Sequence, residues 1–215
     1  MMLSAQVQRR GKTVFATEID GARLITPMMS LLLRKIPEAY INIFKLLSFE
    51  PGALLYEAYN SYENRNPLPD EEIRSKKEEL MQGVNDCLAA ASFELVPEIQ
   101  KKLLKAASYG KSFLTIPGIE FDHSALFFIC KNIKILNSIK SEMNARVMTF
   151  EQLRAIGEQN MLNLMLRYKC HALANDFCDI IGLHEGYKAQ VFVDWACCKV
   201  ESSETDDKLC NNIAE

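Results

Sequence analysis

The sequence of 215 residues has little of what metal-binding and disulfide-rich proteins require. It contains only 3 histidines, and no Cys-x-x-Cys pair occurs among its 7 cysteines. Structural zinc sites generally use such closely spaced ligand pairs, and an odd number of cysteines cannot all pair within one chain. We therefore expect free thiols, which persist in a reducing compartment such as the cytosol.

An excess of one charge and a long apolar run are lacking as well. Lys plus Arg number 25 and Asp plus Glu 28, so the formal net charge is −3. A dedicated nucleic-acid-binding domain normally has a basic excess, and no nucleic-acid partner is expected. Residues 124–136 form the longest mostly apolar stretch, which Lys131 and Lys134 interrupt. It is shorter than the roughly 20 residues of a membrane-spanning helix, and the polar residues 4–10 do not fit a secretory signal.

The first 26 residues contain two short segments with the composition of β-strands. Residues 12–19 and 22–26 are rich in β-branched and aromatic residues, and Asp20-Gly21 lies between them. Asp-Gly is a favoured pair for the tight turn of a β-hairpin. A lone hairpin is only marginally stable in water. Such a hairpin either packs on the helices that follow or belongs to a β-domain whose other strands lie outside this sequence. We favour the second, with residues 1–26 as the last strands of that domain, which would make the chain a fragment or a truncated product.

From Pro37 onward the pattern is helical, and we expect strands only before about residue 27. Pro37, Pro51 and Pro97 each precede apolar residues at spacings of three and four, as prolines in the first turn of a helix do. Thr149 with Gln152 has the sequence of a capping box. Further boundaries are predicted by Asp70 and Asp122 at helix starts, and by Gly110 and Gly182 as left-handed helix ends.

The segment 187–200 is predicted to form a helix with two apolar faces. One face carries Tyr187, Val191, Trp195 and Cys198, and the other carries Phe192, Val193, Ala196, Cys197 and Val200. A helix of this kind packs between neighbours on both sides, so Trp195 is predicted to be buried. Together with many short helices and short connections, this predicts stacked helical hairpins over residues 27–215, an α-solenoid without a strict repeat.

The spacing of reactive residues identifies no catalytic, cofactor-binding or metal-binding site. Gly110-Lys111-Ser112 has the order found at the end of a phosphate-binding loop, but that motif needs a glycine where Lys105 stands. The plausible metal ligands lack chelating spacing; they are Cys170, His171, Cys178, His184, Cys197 and Cys198. The basic patch of Lys101, Lys102 and Lys105 and the carboxylates at 70–72, 78 and 79 are expected to be ordinary surface. The residues predict a helical binding scaffold and not an enzyme.

Five segments together point to one family. They are residues 48–55 (SFEPGALL), 73–91 (IRSKKEELMQGVNDCLAAA), 100–114 (QKKLLKAASYGKSFL), 133–140 (IKILNSIK) and 193–200 (VDWACCKV). In their order and separation they resemble the vacuolar protein sorting-associated protein 16 family, a core subunit of the HOPS and CORVET membrane-tethering complexes. The resemblance extends from about residue 21 to residue 208.

In that family a seven-bladed β-propeller precedes an α-solenoid. The resemblance therefore implies that residues 1–26 are terminal propeller strands and that residues 27–215 are the first part of the solenoid. It implies a non-enzymatic scaffold in endosome-to-lysosome or vacuole transport and membrane fusion, with no cofactor or metal. The alternative is another helical-solenoid vesicle coat or trafficking adaptor.

The resemblance also implies partners and a location. The expected partners are the other class C core tethering subunits and a Sec1/Munc18-type protein, the latter mainly through solenoid downstream of this chain. The expected location is cytoplasmic, on the cytosolic face of late endosome and lysosome or vacuole membranes. Attachment to those membranes would be peripheral, through the complex.

Overall fold

The chain divides into two compact units, Met1–Ile36 and Pro37–Glu215. The computed structural model describes residues 13–65, 77–114, 123–143 and 147–201. In these residues the first unit is built of strands and the second of helices. The fold is mainly α with a small N-terminal sheet, which confirms the predicted fold class.

The first unit holds a three-stranded antiparallel sheet in the order β1-β2-β3. Its strands are β1 (Val14–Glu18), β2 (Gly21–Ile25) and β3 (Ser30–Arg34). The predicted hairpin is confirmed, but its loop is Ile19-Asp20, because Glu18 pairs with Gly21. A Cβ at Gly21 would lie 2.0 Å from the carbonyl oxygen of Leu33. Glycine is therefore needed at this position for the close approach of β3 and not for the turn.

The third strand corrects the prediction that strands are confined to residues before 27. Residues 31–33 are three consecutive leucines, which lack the alternation of a half-buried strand and favour helices in isolation. In the turn before them, Thr26 N–H donates to the Met29 carbonyl at 2.9 Å, and Met29 N–H donates to the Thr26 hydroxyl at 3.0 Å. Because this turn sets the register, Leu24 pairs with Leu31 and the run is drawn into the sheet.

The described part of the second unit contains nine helices. They are α1 (Glu38–Phe44), α2 (Pro51–Glu63), α3 (Lys77–Phe93), α4 (Pro97–Lys111), α5 (His123–Glu142), α6 (Phe150–Ile156), α7 (Glu158–Arg167), α8 (His171–Ile181) and α9 (Glu185–Val200). Pro51 and Pro97 lie in the first turns of α2 and α4, and Pro37 immediately precedes α1. Thr149 and Gln152 form the predicted capping box at the start of α6.

These helices bury two hydrophobic clusters, and α5 contributes to both. The first cluster belongs mainly to α1–α4 and includes Leu55 and Val84. The second belongs to α5–α9 and includes Phe177. Ile133 of α5 lies in the first cluster and Ile139 in the second, and α5 packs against both α3 and α8. Since most helices pack on their neighbours in the chain, the arrangement fits the stacked hairpins of an α-solenoid.

Of the two predicted left-handed helix ends, one is right and one is wrong. The helix α8 ends at Gly182 with φ 78° and ψ 43°. In contrast, α4 continues through Gly110, which is buried, and a Cβ there would lie 2.7 Å from Leu55 Cδ2 and 2.9 Å from Val84 Cγ2. Gly110 is glycine because α4 approaches α2 and α3 closely. A helix also precedes the Gly-Lys-Ser sequence, which is not the context of a phosphate-binding loop. The predicted helix starts at Asp70 and Asp122 lie outside the described residues.

Burial along α9 differs from the prediction of a helix enclosed on both faces. Val191 is the buried residue of this helix, and Trp195 is only half-buried. On the other face, Phe192 and Val193 are 57% and 63% exposed. The reason is that, within the described residues, α9 packs chiefly on α8, which lies on one side of it. The prediction that Trp195 is buried is therefore wrong.

Gly157→Ala is expected to lower the free energy of unfolding by about 2 kcal/mol, within the 1–3 kcal/mol typical of strained backbone positions. Gly157 joins α6 to α7 with φ 77° and ψ 160°, a region open almost only to glycine. Apart from its chain neighbours, no heavy atom lies within 4 Å of a Cβ built there, so backbone strain determines the loss. Urea unfolding measures it. The control is Gly182→Asn, because asparagine tolerates the left-handed region; equal losses in both variants would contradict the argument.

Candidate interaction surface

The thiols named as possible metal ligands have different surroundings. Cys178 is buried in the second cluster, where burial raises the pKa of its thiol. Cys87, in the first cluster, lies 3.6 Å from the Gly52 carbonyl oxygen, and burial raises the pKa of its thiol to about 12. Both thiols stay protonated at neutral pH and act as packing groups. Cys197 is exposed and Cys198 is half-buried.

Two further side chains singled out in the sequence have local structural partners. The Lys105 ammonium lies 3.2 Å from a Glu63 carboxylate oxygen and 6.0 Å from the centre of the Tyr59 ring. His184 caps α9, because its Nδ1 accepts a hydrogen bond from Gly186 N–H at 3.1 Å. These contacts explain both residues by local structure.

A group of buried hydrogen bonds connects α1 with the segment between α3 and α4. Glu94 is 9% exposed, and its carboxylate accepts from the Tyr40 hydroxyl at 2.6 Å. The same carboxylate accepts from the backbone N–H groups of Leu95 and Val96 at 2.7 and 2.9 Å. The Glu94 carbonyl accepts from the Gln100 amide at 2.6 Å. We call these groups, with their continuation into α5, the Glu94 network.

The continuation of the Glu94 network runs through Gln100, which is 4% exposed. Its Oε1 accepts from the Asn137 amide at 2.9 Å, and the Lys140 ammonium donates to the Leu95 carbonyl at 3.2 Å. The network thus joins α1, the α3–α4 connection, α4 and α5. A satisfied network of this kind favours one relative arrangement of the elements that it joins, so we expect it to help fix how successive hairpins stack.

Alkaline pH is expected to weaken the fold through Tyr40. Burial, with the hydrogen bond and charge of Glu94, raises the pKa of Tyr40 to about 12 from the ordinary value of 10.0. The folded state therefore holds the phenol proton more tightly than the unfolded chain, and this stabilisation is complete below about pH 10 and lost between about pH 10 and 12. Urea unfolding across that range should show the difference between wild type and Tyr40→Phe shrinking. A constant difference would contradict the assignment.

A groove of about 480 Å³ lies between α5, α6, the start of α7, α8 and α9. Arg154 and Glu158 contribute charge to its lining, and Phe128 meets Phe150 edge-on at 5.9 Å while remaining 55% exposed. The apolar lining is completed by Leu153, Phe177, Ile181, Leu183 and Tyr187. Such a lining can receive apolar side chains, with the charged groups orienting them.

Other apolar side chains are exposed on the second unit. In the α1–α2 connection, Leu46, Leu47 and Phe49 are 87%, 82% and 79% exposed. Contiguous exposed apolar residues are typical of contact surfaces. Within the part of the chain that the structure describes, no helix has both the length and the apolar content to cross a bilayer.

Packing of α8 on α9 brings together three potential metal ligands. His171, Asp194 and Cys198 each place one donor atom within 4.8 Å of the others, and all three are half-buried. His171 Nε2 lies 2.8 Å from Asp194 Oδ2. His171 and Cys198 were among the possible ligands named from the sequence, but Asp194 was missed. The missed signal is the four-residue spacing between Asp194 and Cys198, which puts both on one helical face.

The comparisons with known proteins all point to the same family. Residues 3–124 match the family model described as "Vps16, N-terminal region". The vacuolar protein sorting-associated protein 16 homolog of Dictyostelium discoideum is 34% identical over 194 residues, covering 90% of this chain and 22% of the relative. The Saccharomyces cerevisiae protein is 33% identical, and the match covers 94% of this chain and 25% of the yeast protein. The Drosophila melanogaster homolog is 29% identical, and the match covers 92% of this chain and 23% of that homolog. The chain thus spans about a quarter of these relatives' length.

Proposed function

Because the chain belongs to the Vps16 family, we propose that it serves vacuolar protein sorting as a non-enzymatic scaffold segment of a HOPS/CORVET-type tethering complex. The observation that carries this proposal is the match of residues 3–124 to the N-terminal region of that family. Relatives named as vacuolar protein sorting-associated protein 16 match over nine-tenths of the chain or more in Dictyostelium, yeast and Drosophila.

The structure supports a scaffold role for the helical unit. The Glu94 network joins α1, α4 and α5 to the α3–α4 connection, and a protein that positions partners requires such links between its helices. The groove beside Phe128 and the exposed leucines of the α1–α2 connection are features of contact surfaces. We propose that the sheet is the end of a β-propeller and that the solenoid follows it. The third strand shifts the proposed boundary from residue 26 to that between Ile36 and Pro37.

The proposed partners are the other class C core tethering subunits and a Sec1/Munc18-type protein. In this proposal the complex works at the cytosolic face of late endosomes and of the lysosome or vacuole, where membrane attachment is peripheral. The Sec1/Munc18-type protein is expected to bind mainly to solenoid that follows the segment represented here.

Affinity purification of a full-length version of the protein tests the proposal. It should retain the core tethering subunits and the Sec1/Munc18-type protein. The 215-residue chain, purified in parallel, should lose the Sec1/Munc18-type protein. Recovery of vesicle coat subunits by the full-length protein, with no tethering subunit, would favour the coat-adaptor alternative and overturn the proposal.

A further inference from the structure

We propose that His171, Asp194 and Cys198 form a zinc site that links α8 to α9. The inference goes beyond the proposed function and does not depend on it. His171 is the first residue of α8, and the other two residues lie on α9. Their donor atoms lie within 4.8 Å of one another. A set of one imidazole, one carboxylate and one thiolate suits Zn²⁺, whereas Mg²⁺ and Ca²⁺ prefer oxygen ligands alone.

The helix α9 places two of the three ligands next to each other. Asp194 and Cys198 are four residues apart on α9 and therefore share one face. The histidines of zinc-binding H-E-x-x-H helices have the same spacing. His171 supplies the third ligand from the facing helix, where its ring is already held 2.8 Å from the Asp194 carboxylate. We therefore expect binding to leave the packing of α9 on α8 unchanged.

The distance between the donor atoms of His171 and Asp194 requires only a small adjustment. Nitrogen and oxygen ligands each lie about 2.0–2.1 Å from a tetrahedral zinc ion, which places them about 3.3 Å apart. The pair His171–Asp194 must therefore open by roughly 0.5 Å from its hydrogen-bonded distance. The histidine side chain is 14% exposed and the aspartate side chain 41% exposed. This partial exposure leaves the carboxylate free to rotate and gives the ion a path from solvent, with water as fourth ligand.

A simple hydrogen bond between His171 and Asp194 accounts for two of the three residues but leaves the thiol unexplained. The thiols of Cys87 and Cys178 lie in apolar clusters, and that of Cys170 contacts the Tyr168 carbonyl at 3.5 Å. Among the cysteines that the structure describes, Cys198 is the one grouped with a histidine and a carboxylate. An imidazole and a carboxylate beside the thiol complete a mixed ligand set for zinc, which the apolar surroundings of a packing thiol do not provide.

Cobalt(II) and zinc titrations of the purified 215-residue chain, kept reduced, test the proposal. Co²⁺ should produce a thiolate-to-cobalt charge-transfer band that saturates at one equivalent, and Zn²⁺ should displace it. Cys198→Ser should abolish the band and weaken zinc binding by about tenfold or more, since even changes beyond the direct ligands cost 10–100-fold. The isosteric Asp194→Asn should weaken zinc binding by a similar factor while keeping the thiol.

Cys197→Ser is the matched control, because Cys197 is an exposed thiol at the adjacent position and lies outside the group. It should keep both the band and the zinc affinity. Circular dichroism establishes that each variant is folded, and Asp194→Asn serves if Cys198→Ser does not fold. A wild-type chain without a cobalt–thiolate band would overturn the proposal. So would a band that survives Cys198→Ser or one that Cys197→Ser removes equally.

Discussion

Gly110→Val is expected to lower the free energy of unfolding by about 3 kcal/mol, at the upper end of the usual overpacking range. The first added carbon would lie 2.7 and 2.9 Å from the two Leu55 methyl carbons and 2.9 Å from Val84 Cγ2. Leu55 and Val84 are 1% and 0% exposed, so neither side chain has space to move into. The better helix propensity of valine returns only a few tenths of a kcal/mol.

The matched control is Ser108→Val on the same helix. Ser108 is exposed, so the same β-branched side chain meets solvent there and should change stability by about 0.5 kcal/mol or less. Urea unfolding of both variants and of Gly110→Ala gives the comparison, with alanine expected between glycine and valine. A loss of less than about 1 kcal/mol for Gly110→Val would show that α4 can move away from α2, contrary to the close-packing argument.

The parts of this fold that were predictable from sequence depend on local chemistry. Prolines at Pro51 and Pro97, the capping pair Thr149–Gln152 and the left-handed end at Gly182 each act within a few residues of themselves. Their effect is therefore readable without knowing what packs nearby. The same holds for the β1–β2 hairpin, whose loop was predicted to within one residue.

The predictions that proved wrong all concern positions whose structure depends on residues far away in the sequence. The leucines 31–33 form a strand because β2 lies beside them. Gly110 is required by Leu55 and Val84, which are 55 and 26 residues away in sequence. Trp195 was predicted to be buried because it shares a helical face with other apolar residues. A helical pattern does not reveal how many neighbours a helix has.

The candidate metal group illustrates the same limit at the level of a site. Asp194 and Cys198 share a face of α9, and this could be recognised from their spacing. Their proximity to His171 depends on the way α9 turns back along α8 after Gly182, which no spacing rule gives. The Glu94 network was likewise not predicted, because its hydrogen-bonded partners lie up to 54 residues apart, in the case of Tyr40 and Glu94.

Glu94→Ala is expected to lower the free energy of unfolding by about 3 kcal/mol, because hydrogen bonds to a charged acceptor contribute roughly 1.5–3 kcal/mol each and solvent replaces part of what is lost. The change removes the acceptor of the Tyr40 hydroxyl and of two backbone N–H groups. Val96 is 46% exposed and its N–H can bind water, whereas Leu95 and Tyr40 are half-buried. The penalty therefore comes mainly from these two donors.

Comparison of single and double variants separates the network from general loss of a charge. Glu94→Gln keeps an acceptor for the backbone and an amide that the tyrosine oxygen can accept from, so its loss should be about 1 kcal/mol, similar to that of Tyr40→Phe. The double variant of Glu94→Ala with Tyr40→Phe should lose less than the sum of the two, because both remove the same bond. Glu98→Ala, an exposed carboxylate in the first turn of α4, is the control and should cost about 0.5 kcal/mol.

Amide hydrogen exchange then distinguishes a local role of Glu94 from a role in stacking. The Gln100 amide donates a hydrogen bond to the Glu94 carbonyl, and its Oε1 accepts one from the Asn137 amide of α5. If the network fixes the stacking of hairpins, Glu94→Ala should lower protection in α5 as well as at the ends of α3 and α4, since regions that open together lose protection together. A loss of amide protection confined to the α3–α4 connection, with α5 unchanged, would show that Glu94 stabilises only the local backbone. In that case the apolar contacts of Ile133 with the first cluster would be the main link between the two halves of the helical unit.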